Sequence, residues 1–220
     1  MESSKNDKMG KIANVVGASG LVGQQLVAQL LAHPEYERVR IFVRRTTGIG
    51  HPKLEEQLID FDRTESWQHL VQGDVLFSTL GTTIKTAKTR DNQYRVDFTY
   101  QYEFAKAAAG NGVPTYVLVS SMGANPHSSV FYSRIKGELE DAVGRLLFRK
   151  LLIFRPSILD GDRQEKRTGE KVGLIISRFL TRFILKKYRP TPVNQLAARM
   201  ISLSLDPTPG FRMVEGVDIR

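Results

Sequence analysis

The segment that decides the fold is KIANVVGASGLVGQQLVAQLL, residues 11–31. It begins with an apolar run typical of a buried strand and ends with the apolar periodicity of a helix. Three glycines, Gly17, Gly20 and Gly23, occupy the turn between the two. In such a unit the first glycine permits a tight turn, the second lets backbone N–H groups approach a pyrophosphate, and the third allows close packing of helix and strand. Because the helix N-terminus also directs its dipole at the anion, the segment predicts a dinucleotide-binding turn.

Beyond this turn, short β-rich runs alternate with longer helical runs, which predicts right-handed crossovers and a parallel sheet. We therefore expect an α/β fold, a Rossmann-type doubly wound parallel sheet with helices on both faces and a small C-terminal segment on the substrate side. Residues 1–10 are expected to form a flexible tail and residues 11–220 a single NAD(P)-binding domain. The predicted strands are residues 11–16, 38–43, 55–61, 74–81, 115–121 and 150–156, and the predicted helices are residues 21–33, 92–109 and 133–143.

The composition excludes several classes of site. The chain of 220 residues has no cysteine, which rules out disulfides, thiolate nucleophiles and cysteine metal ligands. Its four histidines lie far apart, so no metal site is predicted. The polar N-terminus and the lack of a long apolar run lead us to expect a cytoplasmic protein without stable membrane insertion. The net charge of +9 favours an anionic small ligand, because no nucleic-acid-binding signature accompanies it.

Two arginines follow the second predicted strand, where an NAD-binding protein usually has an acidic residue for the ribose hydroxyls. A guanidinium can hold a 2′-phosphate with two parallel hydrogen bonds, whereas a carboxylate would repel it. Arg44 and Arg45 therefore favour NADP(H) as the cofactor. The alternative is that they are two solvated arginines at a strand end.

Two further strand ends lie near the expected cofactor. Asp60 and Phe61 end the third predicted strand, where the adenine would lie, although an ordinary strand terminus explains them nearly as well. Leu80 and Gly81, in the segment TLGTT, close the fourth predicted strand. Their backbone could approach the riboses of the cofactor.

The spacing Tyr-x-x-x-Lys occurs twice, at Tyr102 and Lys106 and at Tyr132 and Lys136. The first pair lies inside a predicted helix and far from any strand end, so packing and solvation account for it. The second pair lies at the beginning of the helix after the fifth predicted strand, beside the ligand crevice of such sheets. Residues four apart share one helix face, so Lys136 can favour the phenolate form of Tyr132 electrostatically. The same lysine can hydrogen-bond a nicotinamide ribose, which makes Tyr132 the candidate for proton transfer.

A serine pair, Ser120 and Ser121, ends the fifth predicted strand. One of the two hydroxyls would hold a substrate carbonyl while Tyr132 gives or takes the proton. The pattern leaves the choice open, and we favour Ser121 because the second serine lies closer to the crevice. The predicted reaction is hydride transfer to or from a small carbonyl or alcohol substrate. The alternative is a non-catalytic NADP(H) sensor that changes its affinity for a partner.

Taken together, these motifs resemble the short-chain dehydrogenase/reductase superfamily. Within it the chain is most similar to atypical members, the NAD(P)-binding oxidoreductases related to the HIV Tat-interacting protein. The similarity extends from residue 11 to the C-terminus and includes the segments GASG, RR, LGTT, RVD, SSMGA, YSRIKGE, FRPSIL and DRQEKRTGE. One departure is Asp97 in RVD, because many superfamily members carry a structural asparagine on that helix. The atypical branch resembles this chain there.

The resemblance implies a catalytic set of Ser121, Tyr132 and Lys136. It also implies NADP(H) contacts from the glycine turn, from the ends of strands two and four, from the catalytic helix and from the segment after strand six. The implied contacts are Ser19, Gly20, Leu21, Val22, Arg44, Arg45, Leu80, Gly81, Tyr132, Lys136, Leu159 and Arg167.

The segment after the sixth predicted strand is expected to select the substrate. Within it Arg178, Arg182 and Lys186 recur every fourth residue beside an apolar stripe. A solvated rim of an ordinary amphipathic helix is the commoner explanation of such a pattern. A helix on a membrane surface and a pocket for anionic substrates are the alternatives. The sequence specifies neither the substrate nor the oligomeric state.

Overall fold

The computed structural model describes residues 10–160 and 190–219. Its strands are β1 (Lys11–Val16), β2 (Tyr36–Val43), β3 (Leu54–Leu58), β4 (Val75–Ser78), β5 (Thr115–Val119), β6 (Lys150–Arg155), β7 (Leu159–Asp160), β8 (Thr191–Pro192) and β9 (Gly210–Glu215). Its helices are α1 (Leu21–Ala32), α2 (Thr64–Trp67), α3 (Ile84–Ala87), α4 (Arg90–Tyr94), α5 (Tyr100–Gly110), α6 (Phe131–Gly144) and α7 (Val193–Leu205). None of the helices in these ranges combines the length and the apolar character needed to cross a bilayer.

Within the described residues, seven parallel strands form one sheet in the order β3-β2-β1-β4-β5-β6-β9. Strand β1 lies between β2 and β4, so the order of the strands reverses at β1. The connections that follow β1 and β4 consequently run to opposite faces of the sheet, α1 to one and α5 to the other, and a crevice opens between the loops at their start. This arrangement confirms the predicted Rossmann-type doubly wound sheet and places the glycine turn at the crevice.

Side chains that alternate along the strands build one core on each face of the sheet. Val15 belongs to the core covered by α1 and α7, whereas its neighbour Val16 belongs to the core covered by α5 and α6. Because successive side chains of a strand point to opposite faces, a central strand buried on both sides must be apolar at nearly every position. In the second core, the ring of Trp67 stacks on Phe104 with the ring centroids 4.0 Å apart.

Several boundaries differ from those the sequence predicts. The third, fourth and fifth strands end at Leu58, Ser78 and Val119, so the residues assigned to their last positions lie in the loops beyond the sheet. Helix α7 and the edge strand β9 are not predicted by the sequence pattern at all. The β9 segment escapes the pattern because its first three residues are exposed at the sheet edge and only Val214 is fully buried, which weakens the apolar signal of a buried strand.

The long helix predicted at residues 92–109 is interrupted by a π-helical turn. Residues Arg95–Thr99 form this turn between α4 and α5, and Asp97 is its central residue. A π-turn inserts an extra residue into the helix and rotates the side chains that follow it. Such turns are frequent at functional sites, and the side chain of Asp97 points into the protein interior.

Strands β7 and β8 pair in parallel as a separate two-stranded sheet, with Leu159 opposite Thr191. The backbone N–H of Thr191 also donates to the carbonyl of Ile158 at 2.8 Å. The predicted substrate-side segment, including Arg167 and the basic stripe of Arg178, Arg182 and Lys186, lies outside the described residues.

Helix α6 carries two glycines in different surroundings. A Cβ atom on Gly137 would collide with the backbone of Asn125 and Pro126, in the loop that follows β5. A Cβ atom on Gly144, the last residue of α6, would have no neighbouring atom within 4 Å. Gly137 therefore permits the close approach between the helix and this loop.

We expect Gly137→Ala to destabilise the protein by roughly 1–3 kcal/mol, because the clash outweighs the better helix propensity of alanine. Gly144→Ala is the matched control and should be neutral or slightly stabilising. Urea denaturation of both variants measures the difference. A Gly137→Ala protein as stable as the unmodified one would contradict the proposed contact.

Candidate active site

The glycine turn has the geometry that its sequence predicts. Gly17 has a φ of +87°, and a Cβ atom there would lie 2.5 Å from the backbone nitrogen of Leu80. A Cβ atom on Gly23 would collide with the carbonyl of Gly17, so this glycine allows α1 to pack against the turn. No side chain caps the N-terminus of α1, and its first turn has no acidic residue. The turn therefore presents unshielded backbone amides and the positive end of a helix dipole.

The loop after β2 presents the two arginines to solvent. Arg44 and Arg45 are exposed, and among the described residues neither has a hydrogen bond or an ion pair. The loop itself is held by Glu56 of β3, which accepts hydrogen bonds from the Thr46 hydroxyl at 2.6 Å and from the Thr47 N–H at 2.9 Å. The hydroxyl of Thr47 donates to the same carboxylate. These donors, with Thr46 the strongest, lower the pKa of Glu56 below its usual value.

The loop after β4 lies against both the glycine turn and α6. Its first residue, Thr79, donates its N–H to the carbonyl of Val16 at 2.9 Å, which fixes the loop beside the end of β1. A Cβ atom on Gly81 would lie 3.3 Å from Oδ1 of Asp97 and 3.9 Å from Nζ of Lys136. The loop predicted to meet the cofactor is thus also the wall of the pocket that encloses the lysine.

Tyr132 is the second residue of α6 and Lys136 lies one turn later. Tyr132 is 39% exposed as a residue, whereas the Lys136 side chain is only 3% exposed. Nζ of Lys136 lies 5.9 Å from the centroid of the Tyr132 ring and 3.0 Å from Oδ1 of Asp97. The structure therefore sets a half-exposed phenol beside an enclosed ammonium.

Burial alone lowers the pKa of Lys136. The Asp97 carboxylate outweighs that effect, with help from Tyr132 and Glu140, so the pKa of this lysine lies above its usual value. The ammonium therefore stays charged at neutral pH and can stabilise negative charge on a neighbouring oxygen.

The two serines after β5 have different surroundings. Ser120 donates its hydroxyl to the buried carboxylate of Glu140, which also accepts a hydrogen bond from Nε of Arg155 at 3.0 Å. The hydroxyl of Ser121 is enclosed and has no hydrogen-bond partner among the described residues. The Ser120 hydroxyl is thus already hydrogen-bonded within the protein, whereas that of Ser121 is not, among the described residues. This difference supports the choice of Ser121, whose role in the reaction stays a prediction.

The remaining predicted residues lie in different parts of the structure. Leu159 lies in β7 and packs against the core beneath α1 and α7. Tyr102 and Lys106 lie on α5, where Lys106 pairs with Glu103 at 3.1 Å. This ion pair agrees with the expectation that the Tyr102–Lys106 pair belongs to an ordinary helix surface.

Sequence reasoning missed three acidic residues that support the site. Asp97 was noted as a departure from the superfamily pattern, but its ion pair with Lys136 was not predicted. Glu140 has the helical i,i+4 spacing from Lys136, which could have marked it as a residue on the same face. Glu56 carries no sequence signal, because its donors come from the preceding loop.

Known proteins with similar sequences also indicate a dinucleotide-binding chain. The model of a family described as NAD(P)H-binding matches residues 17–149, from the glycine turn to the start of β6. The chain belongs to this NAD(P)H-binding family. Its curated relatives include the mitochondrial protein fmp52-1 of Aspergillus terreus, 36% identical over 172 residues, which cover 75% of this chain and 74% of the relative. The mitochondrial protein FMP52-1 of Scheffersomyces stipitis is 34% identical over 189 residues, which cover 84% of this chain and 80% of the relative.

Solved structures of two enzymes share the fold. The Bordetella bronchiseptica enzyme WbmH, in complex with NAD+, has a TM-score of 0.71 and 17% identity, covering 93% of this chain and 75% of that one. The dTDP-4-dehydrorhamnose reductase of Bacillus anthracis, in complex with NADP, has a TM-score of 0.66 and 19% identity, covering 94% and 75%. At these identities the likeness establishes the fold alone. With the family match, it confirms the predicted resemblance to atypical short-chain dehydrogenase/reductases.

The predicted cytoplasmic location is wrong by the same comparisons. The relatives that match most of this NAD(P)H-binding chain are named as mitochondrial proteins. The prediction used the absence of a recognisable leader pattern, and such an absence carries no positive information about location.

We expect Gly20→Ala to weaken dinucleotide binding at least tenfold while leaving the fold intact. The backbone of Gly20 is extended, and an added methyl group would lie 3.3 Å from the Gly17 carbonyl, which the turn can accommodate. The methyl group would, however, occupy the approach of the pyrophosphate to the backbone amides. Calorimetric titration with NADPH and a melting curve measure the two properties. Gly110→Ala, in open space at the end of α5, is the control, and equal affinities of the two variants would contradict the assignment.

Proposed function

We propose that this protein is an NADP(H)-dependent oxidoreductase that transfers hydride to or from a small carbonyl or alcohol substrate. The proposed catalytic residues are Ser121, Tyr132 and Lys136. The observation that carries this proposal is the half-exposed phenol of Tyr132 beside the charged, enclosed ammonium of Lys136, next to the loop after β4.

The residues present suit a phosphorylated dinucleotide. Uncapped amides at the start of α1 match the charge of a pyrophosphate, and the glycine turn leaves room for its backbone approach. Arg44 and Arg45 offer guanidinium groups without other partners among the described residues, which favours a cofactor with a 2′-phosphate. When bound, the nicotinamide supplies a hydride from its C4 atom to the carbonyl carbon.

Each of the three side chains has a separate role in the proposed proton transfer. In the direction of reduction, Tyr132 donates its phenolic proton to the carbonyl oxygen as that oxygen gains negative charge. Ser121 donates a hydrogen bond to the same oxygen and holds it in place. The ammonium of Lys136 stabilises the phenolate that Tyr132 becomes, and it keeps its own protons. In the oxidation direction each of these steps is reversed.

The names of the relatives lead us to propose a mitochondrial location for this activity. Imaging of the full-length protein with a C-terminal fluorescent tag, which leaves the N-terminus free, tests that location.

We expect NADPH to bind at least tenfold more tightly than NADH. The double variant Arg44→Ala/Arg45→Ala should remove this preference by weakening NADPH alone, because NADH has no 2′-phosphate for the guanidinium groups. Arg63→Ala, which removes an exposed arginine paired with Glu65, serves as the control. Equal affinities of the unmodified protein for the two cofactors would refute the NADP(H) assignment.

We expect Tyr132→Phe to abolish NADPH consumption with any aldehyde or ketone that the protein reduces, because the proton donor is lost. Tyr102→Phe removes the phenol of the other Tyr-x-x-x-Lys pair and should leave turnover unchanged. Absorbance of NADPH across a panel of carbonyl compounds measures both variants. Tight NADPH binding without turnover on any compound would instead identify the protein as a sensor.

A further inference from the structure

One carboxylate of β3 ties down the loop that follows β2. Oε2 of Glu56 accepts a hydrogen bond from the hydroxyl of Thr46, and Oε1 accepts one from the N–H of Thr47. The hydroxyl of Thr47 also donates to Oε1. Both oxygens of Glu56 are therefore engaged by the loop, and three donors converge on a single side chain.

The two threonine hydroxyls carry this attachment further along the loop. Oγ1 of Thr46 accepts a hydrogen bond from the N–H of Gly48 at 3.3 Å, and Oγ1 of Thr47 accepts one from the N–H of Ile49 at 3.3 Å. Such contacts from a threonine to the amide two residues later define local turns. Gly48 has a φ of +72°, a conformation that favours glycine. The loop thus folds as two overlapping turns, and Glu56 binds the hydroxyl of each.

The two arginines after β2 lie between two attachment points. On one side, the carbonyl of Val43, the last residue of β2, accepts a hydrogen bond from the N–H of Ile59 at 3.0 Å. On the other side, Thr46 is held by Glu56. No further residue separates the arginines from either attachment. Their backbone therefore starts from a fixed base, although their side chains are exposed.

The place of Glu56 in the sheet would suit an apolar residue. Leu54, two residues earlier, lies on the same face of β3 and packs against the core beneath α1 and α7. The neighbour of Glu56 across the sheet is Ile41, which is buried in that core. The donors of the loop, Thr46 first, lower the pKa of Glu56, so its side chain is negatively charged at neutral pH. By its charge alone, this side chain would oppose a phosphate held by the neighbouring arginines.

We propose that Glu56 is the positioning residue that makes the protein selective for a 2′-phosphorylated dinucleotide. It orders the loop before the cofactor binds, which reduces the conformational entropy lost when the arginines engage the phosphate. The inference rests on the function proposed above, because it requires those guanidinium groups to contact the 2′-phosphate. NADH has no such phosphate, so its affinity does not depend on the order of the loop.

Glu56→Gln separates position from charge, because the two predict opposite changes. The amide has one acceptor oxygen instead of two, so it cannot accept from both threonines. Loss of the ordered loop should weaken NADPH binding at least fivefold and leave NADH binding unchanged. Removal of a negative charge alone would instead strengthen NADPH binding. Calorimetric titration with both dinucleotides measures the change, and unaltered or tighter NADPH binding would overturn the proposal.

Glu55→Gln is the matched control. Glu55 is the adjacent residue of β3, but its side chain lies on the opposite face and pairs with Arg38 and Arg40 of β2, each at 3.0 Å. This change removes a negative charge from the same strand without breaking a hydrogen bond to the loop. We expect NADPH affinity within twofold of the unmodified protein. A loss as large as that of Glu56→Gln would overturn the specific role of Glu56.

Thr46→Val/Thr47→Val tests the same contact from the side of the loop and leaves every charge in place. Valine keeps the branched shape of threonine but lacks its hydroxyl. We expect a loss of NADPH affinity similar to that of Glu56→Gln, again without an effect on NADH. Combining all three changes should add little, because residues that act through one contact are not additive. Losses that multiply fully in the combined variant would contradict a shared contact.

Amide exchange with solvent in the cofactor-free protein measures the order of the loop directly. The amides of residues 47–49 should exchange faster in Glu56→Gln than in the unmodified protein or in Glu55→Gln, because open loops exchange more readily. Nuclear magnetic resonance detects the rate at each amide. Equal rates in the three proteins would show that Glu56 does not order the loop and would overturn the proposal.

The outcomes distinguish the role of Glu56 from the proposed function. None of the measurements requires turnover, so a protein without activity on any carbonyl can still show the effect of Glu56. An unmodified protein with equal affinities for NADPH and NADH would refute both the NADP(H) assignment and the role of Glu56. A preference for NADPH that survives Glu56→Gln would refute the role of Glu56 alone.

Discussion

The close backbone approach of Gly17 to the loop after β4 is the constraint on which the rest of the site depends. It occurs at the carboxyl ends of β1 and β4, and it brings the glycine turn against Thr79 and Leu80. Because only a residue without Cβ can occupy Gly17 at that distance and with its positive φ, the turn and the loop are fixed relative to each other. The same loop continues to Gly81 and Thr82, which contact the buried ion pair. One steric requirement near the start of the chain thus fixes the loop that borders the Asp97–Lys136 ion pair.

Helix α6 contributes to both the apolar core and the charged site. Its buried face carries Leu139 and Val143, which enter the core shared with α5. The same face carries Lys136 and Glu140, each of which meets an opposite charge from another element, Asp97 for the lysine and Arg155 for the glutamate. Buried charges are tolerated where they are paired and hydrogen-bonded, and here the two pairs lie one helical turn apart. The two serines after β5 differ for the same reason, because Glu140 accepts a hydrogen bond from Ser120, whereas the hydroxyl of Ser121 has no partner among the described residues.

The sequence was sufficient for the parts of the molecule that follow from local pattern. The strand–glycine–helix unit at residues 11–31 predicts the doubly wound sheet, and the place of Tyr132 at the start of a helix separates it from Tyr102. Contacts between distant segments could not be predicted in this way. Asp97 and Lys136 lie on different elements, and the π-turn that aims the aspartate breaks the periodicity on which helix prediction relies. The edge strand β9 escaped for a related reason, since its exposed side chains lack the apolar pattern of a buried strand.

The two-stranded sheet of β7 and β8 joins two segments that are distant in the sequence. Leu159 lies opposite Thr191, and the hydroxyl oxygens of Ser157 and Thr191 lie 3.1 Å apart. The entropic cost of joining two chain positions rises only slowly with their separation in the sequence, so a pairing between distant positions is affordable at a few hydrogen bonds. The pairing fixes the start of α7, which follows β8 directly, relative to the end of β6, and it does so independently of the seven-stranded sheet.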